Sequence, residues 1–302
     1  LREYERVKAV QADRSVKHRS IEIAGARIFY REAGPSGAPV VLLPHGYPSS
    51  SFQYRNLMPA LADRFRLVAP DFPGFGNSDT PDDFAYDFDA YAGFLDAFVR
   101  RLELPRYALY LHDYGSQIGL RLAIRMPERV TALIIQNGDI YEDQLGPKYD
   151  TLKRYWSEPT AEARLQLEAA VTEAGFRDEF VGEIDEHLVE RVPPDLWKLS
   201  WATMTPKRRA IMVGLMEGLL GNLAWFPRYQ HYLRQHEPPT LIIWGVQDGY
   251  MPEGAARAYL RDLPRAELHL LSTGHWALET HLDEVASLAR EFLGRVNTRA
   301  PG

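Results

Sequence analysis

Cysteine is absent from all 302 residues. That removes disulfides, thiolate nucleophiles and cysteine-ligated metal, and it fits a reducing compartment. No signal-peptide pattern opens the chain, so a cytoplasmic protein is the expectation. Long apolar runs are also missing, since none approaches the ~20 residues that a membrane-spanning helix needs. Nor is there an excess of positive charge. Lys and Arg total 35 against 41 Asp and Glu, a net charge of −6 at pH 7, which is the wrong sign for a phosphate-binding surface. The densest basic stretch, Thr205 to Ala210, reads as a solvated turn. Neither nucleic acid nor membrane is expected as a partner. The 9 His show no HExxH or comparable metal-ligand spacing, so no metal is expected.

What remains is ordinary globular composition, 45% hydrophobic and 25% charged, with a length that suits one large domain carrying an insertion, or two domains. Short apolar runs at Val40 to Leu43, Arg66 to Ala69, Tyr107 to Leu111, Ala132 to Gln136, Leu241 to Trp244 and Leu268 to Leu271 each end in a loop rich in Gly, Pro or Asp. Helical patterns separate them. In Ala90 to Leu102, for instance, Tyr91, Phe94, Leu95, Phe98, Val99 and Leu102 recur at helical spacing, and Leu282 to Val296 reads as a closing amphipathic helix. Ser20 to Gly25 and Ala26 to Glu32 read as a hairpin at the start. Alternation of this kind predicts an α/β fold with a mostly parallel sheet and helices on both faces. Its catalytic groups should stand on loops at the carboxyl ends of the strands. From about Ile140 to Asn222 the strand signal disappears. The expected organisation is therefore a core of residues 1–139 and 223–302 with an inserted helical cap at 140–222.

The most informative stretch is LYLHDYGSQIGLRLA. An apolar strand delivers Asp113 into a tight turn, and a helix begins at once, the layout of a nucleophile elbow whose exposed side chain is here a carboxylate. Three further strand-end loops add to it. Pro44-His45-Gly46-Tyr47-Pro48 offers the Tyr47 amide which, with that of Tyr114, makes a pair of donors for a developing oxyanion. GVQDGYMP carries Asp248, and STGHWALET carries His275. The order Asp113, Asp248, His275 is that of nucleophile, acid and base in α/β-hydrolases. Asp139, in the loop after the preceding strand, is the rival acid. Ser116 is rejected as a nucleophile because Tyr114 and Ile118 would occupy flanking positions that require small residues.

On these motifs the chain resembles the α/β-hydrolase superfamily, and within it the aspartate-nucleophile branch of epoxide hydrolases and haloalkane dehalogenases. HGYPSS resembles the HGxP loop, DFPGFGNSD the loop after the next strand, LHDYG the nucleophile turn and STGHWALE the histidine loop. The resemblance implies a two-step reaction. A carboxylate of ordinary pKa, ~3.9, is already ionised at neutral pH and can attack an sp3 carbon directly. The resulting alkyl-enzyme ester is then hydrolysed by water activated at His275, itself oriented by Asp248. No cofactor is required; the partners are a small apolar organic substrate and water, and the chain is either a monomer or a homo-oligomer.

The leaving group separates the two branches. An epoxide opens to an alkoxide, which needs a proton donor; a halide leaves unprotonated and asks for N–H donors. Arg154-Tyr155-Trp156-Ser157-Glu158-Pro159 resembles the cap segment that carries the first acidic tyrosine of epoxide hydrolases, which makes Tyr155 the expected acid and epoxide hydrolysis the expected reaction. At the matching position for the second tyrosine stands Phe226, with Tyr229 and Tyr232 nearby as substitutes. Trp156, Phe226 and Tyr229 are the expected substrate-facing side chains. Tyr114 replaces the Trp usual after the nucleophile, which weakens the halide reading, although Trp156 or Trp225 could supply an indole donor. The alternatives are a haloalkane dehalogenase and, second, a non-catalytic ligand-binding relative on the same fold.

Overall fold

The computed structural model describes residues 13–299; residues 1–12 and 300–302 of the expected core lie outside them. Eight strands form one sheet: β1 (Lys17–Ile23), β2 (Ala26–Ala33), β3 (Val40–Leu42), β4 (Arg66–Pro70), β5 (Tyr107–His112), β6 (Val130–Gln136), β7 (Thr240–Gly245) and β8 (Glu267–Leu271). Their spatial order is β1-β2-β4-β3-β5-β6-β7-β8. β1 and β2 form an antiparallel hairpin, turned by Ala24 and Gly25, both at positive φ, as a two-residue hairpin turn requires. β2 meets β4 antiparallel, and every pairing from there to β8 is parallel.

The central strands are largely apolar because both faces are covered. Every residue of β5 and β7 is buried. Successive side chains of β5 go to opposite sides: Leu109 and Leu111 join Tyr91, Phe98, Ile118 and Leu122 in one cluster. Ala108 and Tyr110 join Leu57, Val285 and Phe292 in the other. The first cluster is built on the helices Phe88–Arg101 and Tyr114–Arg125, the second on Leu57–Leu61 and Leu282–Arg299.

Between β6 and β7 the described structure is helical: Tyr149–Ser157, Ala161–Ala170, Glu173–Val181, Glu186–Val189, Asp195–Ala202, Pro206–Leu223 and Phe226–His236. Three of these starts are capped by threonine. The hydroxyls of Thr160, Thr172 and Thr205 accept the amides of Ala163, Gly175 and Arg208, satisfying donors that a helix leaves free at its start. The consequence for function is positional. The loops at the carboxyl ends of β3, β5, β6, β7 and β8 converge on one edge of the sheet, beneath these helices.

Candidate active site

Asp113 sits where β5 turns into the helix Tyr114–Arg125, with φ 50° and ψ −131°. A non-glycine residue in such a conformation costs about 1–3 kcal/mol and persists only where its surroundings impose it. They do so through two glycines. A Cβ on Gly115 would stand 2.2 Å from the carbonyl oxygen of Pro44, and one on Gly46 would stand 2.7 Å from the Cβ of Asp113. The two loops can therefore close on each other only because both residues lack a side chain. Their closure brings the Tyr47 amide to 2.5 Å from Asp113 Oδ1. The Tyr114 amide, one residue beyond Asp113, faces the same carboxylate. Burial pushes the Asp113 carboxyl up from its ordinary pKa, and the nearby His275 and the two amides pull it back down.

His275 arrives on the loop after β8. Its Nδ1 is 2.6 Å from Asp248 Oδ2, and its Nε2 is 3.6 Å from Asp113 Oδ2. Nε2 is buried and has no hydrogen-bond partner, so it is free to serve a molecule held between the two groups. The backbone of His275 is seated by His112 Nε2 and Gln136 Nε2, each donating to its carbonyl at 3.1 Å. Burial opposes a charge on the imidazole, but Asp248, Asp113 and Glu179 together outweigh it and lift the pKa to about 9. Asp248 is held in turn. Its Oδ1 accepts the amides of Tyr250 and Met251 at 2.9 and 3.0 Å, and its Oδ2 accepts Asn137 Nδ2 at 2.8 Å.

Asn137 was not singled out from the sequence, yet it ties the site together. At φ 42° its side chain brackets Gly245, accepting that residue's amide at 2.9 Å and donating to its carbonyl at 3.0 Å. Its own carbonyl accepts the Asp113 amide at 3.1 Å. The turn signal was present in Gln136-Asn137-Gly138, because Asn tolerates the left-handed region better than most residues. Asp139, the rival acid, stands elsewhere. Its Oδ1 accepts Gln117 Nε2 at 3.1 Å, its Oδ2 has no hydrogen-bond partner, and burial raises its pKa to about 7. Ser116 is fully buried under Gly138.

The expected cap residues are not brought to this edge. The Tyr155 hydroxyl donates to Glu217 at 2.8 Å, alongside Arg164, which bonds the same carboxylate at 2.8 Å. The reason is helical phase. In Tyr149–Ser157 the buried residues are Tyr149 and Leu152, and Tyr155, six residues past Tyr149, lies about 240° round the axis from it. Trp156 spends its indole N–H on the Met216 carbonyl at 3.4 Å. Phe226 is packed at 2% exposure. The Tyr229 hydroxyl accepts Arg121 Nε at 2.9 Å and donates to Asn222 at 3.3 Å, so it braces the insertion against the core. Tyr232 is buried on the side of Tyr107.

Other phenols stand where Tyr155 was expected. Tyr47 and Tyr114 place their rings 5.4 Å apart beside Asp113, and the Tyr47 hydroxyl is buried without a partner. Tyr149, whose ring is 5.6 Å from that of Tyr250, faces Asp139, Tyr114 and Asp113. Burial, reinforced by Glu179 and Asp113, keeps the Tyr47 phenol far above its ordinary pKa. A narrow apolar crevice leads from Tyr47 and Tyr114 past Ile118 to Phe75, Tyr91 and Leu215. An open groove of about 890 Å³ lies at the opposite ends of the strands, between Arg66, Arg106, Thr240 and Arg295, and none of Asp113, Asn137, Asp248 and His275 lines it.

A carboxylate met by two backbone amides and an imidazole with its own carboxylate partner form the site of a hydrolase. Residues 39–282 match the model of the alpha/beta hydrolase fold family, to which the chain belongs. It is 33% identical to the uncharacterized hydrolase YNR064C of Saccharomyces cerevisiae, over 89% of this chain and 93% of that one. It is 30% identical to haloalkane dehalogenase 2 of Mycobacterium bovis, over 89% and 92% of the two chains. Among solved structures, the haloalkane dehalogenase DbeA from Bradyrhizobium elkani superposes with a TM-score of 0.76 at 22% identity, covering 95% of this chain and all of that one.

Proposed function

We propose that the chain hydrolyses an epoxide to a vicinal diol through an ester on Asp113. In this reading Oδ2 attacks the ring carbon while Oδ1 stays on the Tyr47 amide, with the Tyr114 amide facing the same carboxylate. Oδ1 then becomes the ester carbonyl oxygen, already seated where the tetrahedral oxyanion will form. Water beside His275 Nε2 attacks the Asp113 carbonyl carbon, and Asp248 holds the imidazolium that results. The electrostatics order the two steps. Free Asp113 is one of the charges that lift His275 to about 9, so the imidazole is protonated at rest. Esterification removes that charge and lets its pKa fall, turning it into a base when a base is needed.

The observation that carries the epoxide reading is the buried Tyr47 hydroxyl without a protein partner. An unsatisfied buried donor costs about 1–3 kcal/mol, a cost relieved by an oxygen that gains negative charge as the ring opens. A halide reading draws on the dehalogenase at 30% identity, but the Trp156 indole is committed to the Met216 carbonyl, and the Trp225 ring stacks against Arg121, Arg228 and Tyr229. His275→Gln decides between them. Incubated with a terminal epoxide and, separately, a bromoalkane, this variant should gain the mass of the epoxide on Asp113. An adduct with the bromoalkane alone, together with bromide release by the wild type, would overturn the epoxide reading in favour of dehalogenation.

A further inference from the structure

The Tyr47 amide owes its aim to the residue before it. The Gly46 carbonyl accepts His45 Nδ1 at 2.9 Å and the Ser49 amide at 3.1 Å. His45 Nε2 accepts the Phe72 amide at 3.1 Å, so Nδ1 is the ring nitrogen that bears the hydrogen. That carbonyl and the Tyr47 N–H belong to one planar peptide unit and point opposite ways. Holding the carbonyl therefore turns the Tyr47 N–H towards Asp113. The Gly46 N–H is held as well, donating at 3.0 Å to Oε1 of Gln53, a buried residue of the short helical turn Ser51–Tyr54.

From Gln53 the chain of contacts continues to the base. Gln53 Nε2 lies 3.3 Å from His112 Nδ1, and His112 Nε2 lies 3.1 Å from the His275 carbonyl oxygen. One assignment of hydrogens satisfies all of these contacts. An amide nitrogen only donates and a carbonyl only accepts, so His112 Nδ1 is bare and its Nε2 carries the hydrogen. Burial and the neighbouring His275 hold the His112 imidazole well below its ordinary pKa, which keeps it in that neutral form. The bonds thus run in one direction, from the Gly46 N–H through Gln53 and His112 to the His275 carbonyl. Gln53, His112 and His275 are all buried, where such bonds are stronger than in water.

We propose that Gln53 is a positioning residue for ester hydrolysis, holding the loop that supplies the Tyr47 amide in register with the loop that supplies His275. This rests on the ester reading of Asp113. Ester formation needs Oδ2 in line with the substrate carbon and makes no use of His275 as a base. Hydrolysis needs the base and the oxyanion donor at one carbon together. Water gives a proton to His275 as it adds to the ester carbonyl, the bond between the Asp113 acyl carbon and Oδ2 breaks, and the alkoxide takes that proton and departs as the diol carrying Oδ2. The proton left on the new Asp113 carboxyl replaces the one taken up when the ring opened, so epoxide plus water balance diol. The Tyr47 amide and His275 stand on the loops after β3 and β8, strands that three others separate, and Gln53 with His112 spans that gap.

The test is single-turnover kinetics with a terminal epoxide, the enzyme ester followed by intact mass, in the wild type, Gln53→Met, His112→Phe and the double variant. Gln53→Met keeps the length of the side chain without its polar end, and His112→Phe keeps a ring against His275 and Trp276, which the imidazole meets at 4.4 and 4.9 Å. Gln136 Nε2 still holds the His275 carbonyl in every variant. Ester formation should stay near the wild-type rate while hydrolysis slows by about 10², the cost of a misplacement of about 1 Å, so that the ester accumulates. Because the two side chains act as one unit, the double variant should hydrolyse the ester no more slowly than the slower single variant. Hydrolysis at the wild-type rate in Gln53→Met would refute the assignment, as would equal slowing of both steps or losses that multiply in the double variant. Should Gln53→Met fail to fold, an unchanged hydrolysis rate in His112→Phe refutes it equally. If His275→Gln gains no adduct from any substrate that the wild type turns over, the ester reading itself fails and takes this role with it.

Discussion

The sheet edge and the helical insertion place their functional side chains by different means. At the edge, a residue's position follows from the chain path: a strand ends, a loop turns, and Asp113, Asn137, Asp248 and His275 arrive within hydrogen-bonding reach of one another. In the insertion, which side chain faces the nucleophile depends on the rotational phase of each helix. One residue changes it by about 100°. A motif whose residue types are right can therefore aim the wrong one, as Tyr155 against Tyr149 demonstrates. Polar side chains at the edge are backed by backbone; side chains under the insertion are set by packing.

Substitutions can break that contrast, beginning at the edge. Asp248→Asn leaves His275 without the charge that fixes its tautomer and should cost something like 10⁴ in turnover. Asp139→Asn, at a carboxylate that accepts Gln117 and faces Tyr149, should cost less than about tenfold, and steady-state rates for the pair make the comparison. A larger loss at Asp139 would move the acid to the loop after β6. Under the insertion the effects should be smaller. Tyr47→Phe removes the buried donor but keeps the ring, and should slow ester formation with an epoxide by about 10² with a bromoalkane rate unchanged. Tyr155→Phe should alter neither, because its hydroxyl serves Glu217 and Arg164. Pre-steady-state rates of the two variants side by side would expose an error in either placement.

Much of the fold was legible because parallel strands buried on both faces are short, continuous apolar runs, and all eight strands lie where such runs or the initial hairpin were read. β1 begins earlier than its apolar signal, at Lys17, because an edge strand can pair through polar residues. The positions of Asp113, Asp248 and His275 were legible for the same reason, each standing just past a recognisable strand. Asn137 was not, since a polar residue in a turn looks alike whether it braces a triad or faces water. Tyr149 was legible in principle from its spacing with Leu152, the periodicity of an inward face.

The covalent step itself is tested most directly by one turnover in water enriched in oxygen-18, with enzyme in excess over an epoxide. Attack by Asp113 predicts an unlabelled diol from that first turnover and a label in the Asp113 carboxylate, because water adds to the ester carbonyl and the product leaves with an oxygen that began on the enzyme. A diol carrying the label, with Asp113 unlabelled, would mean that water attacks the substrate directly, and Asp113 would be a base rather than a nucleophile.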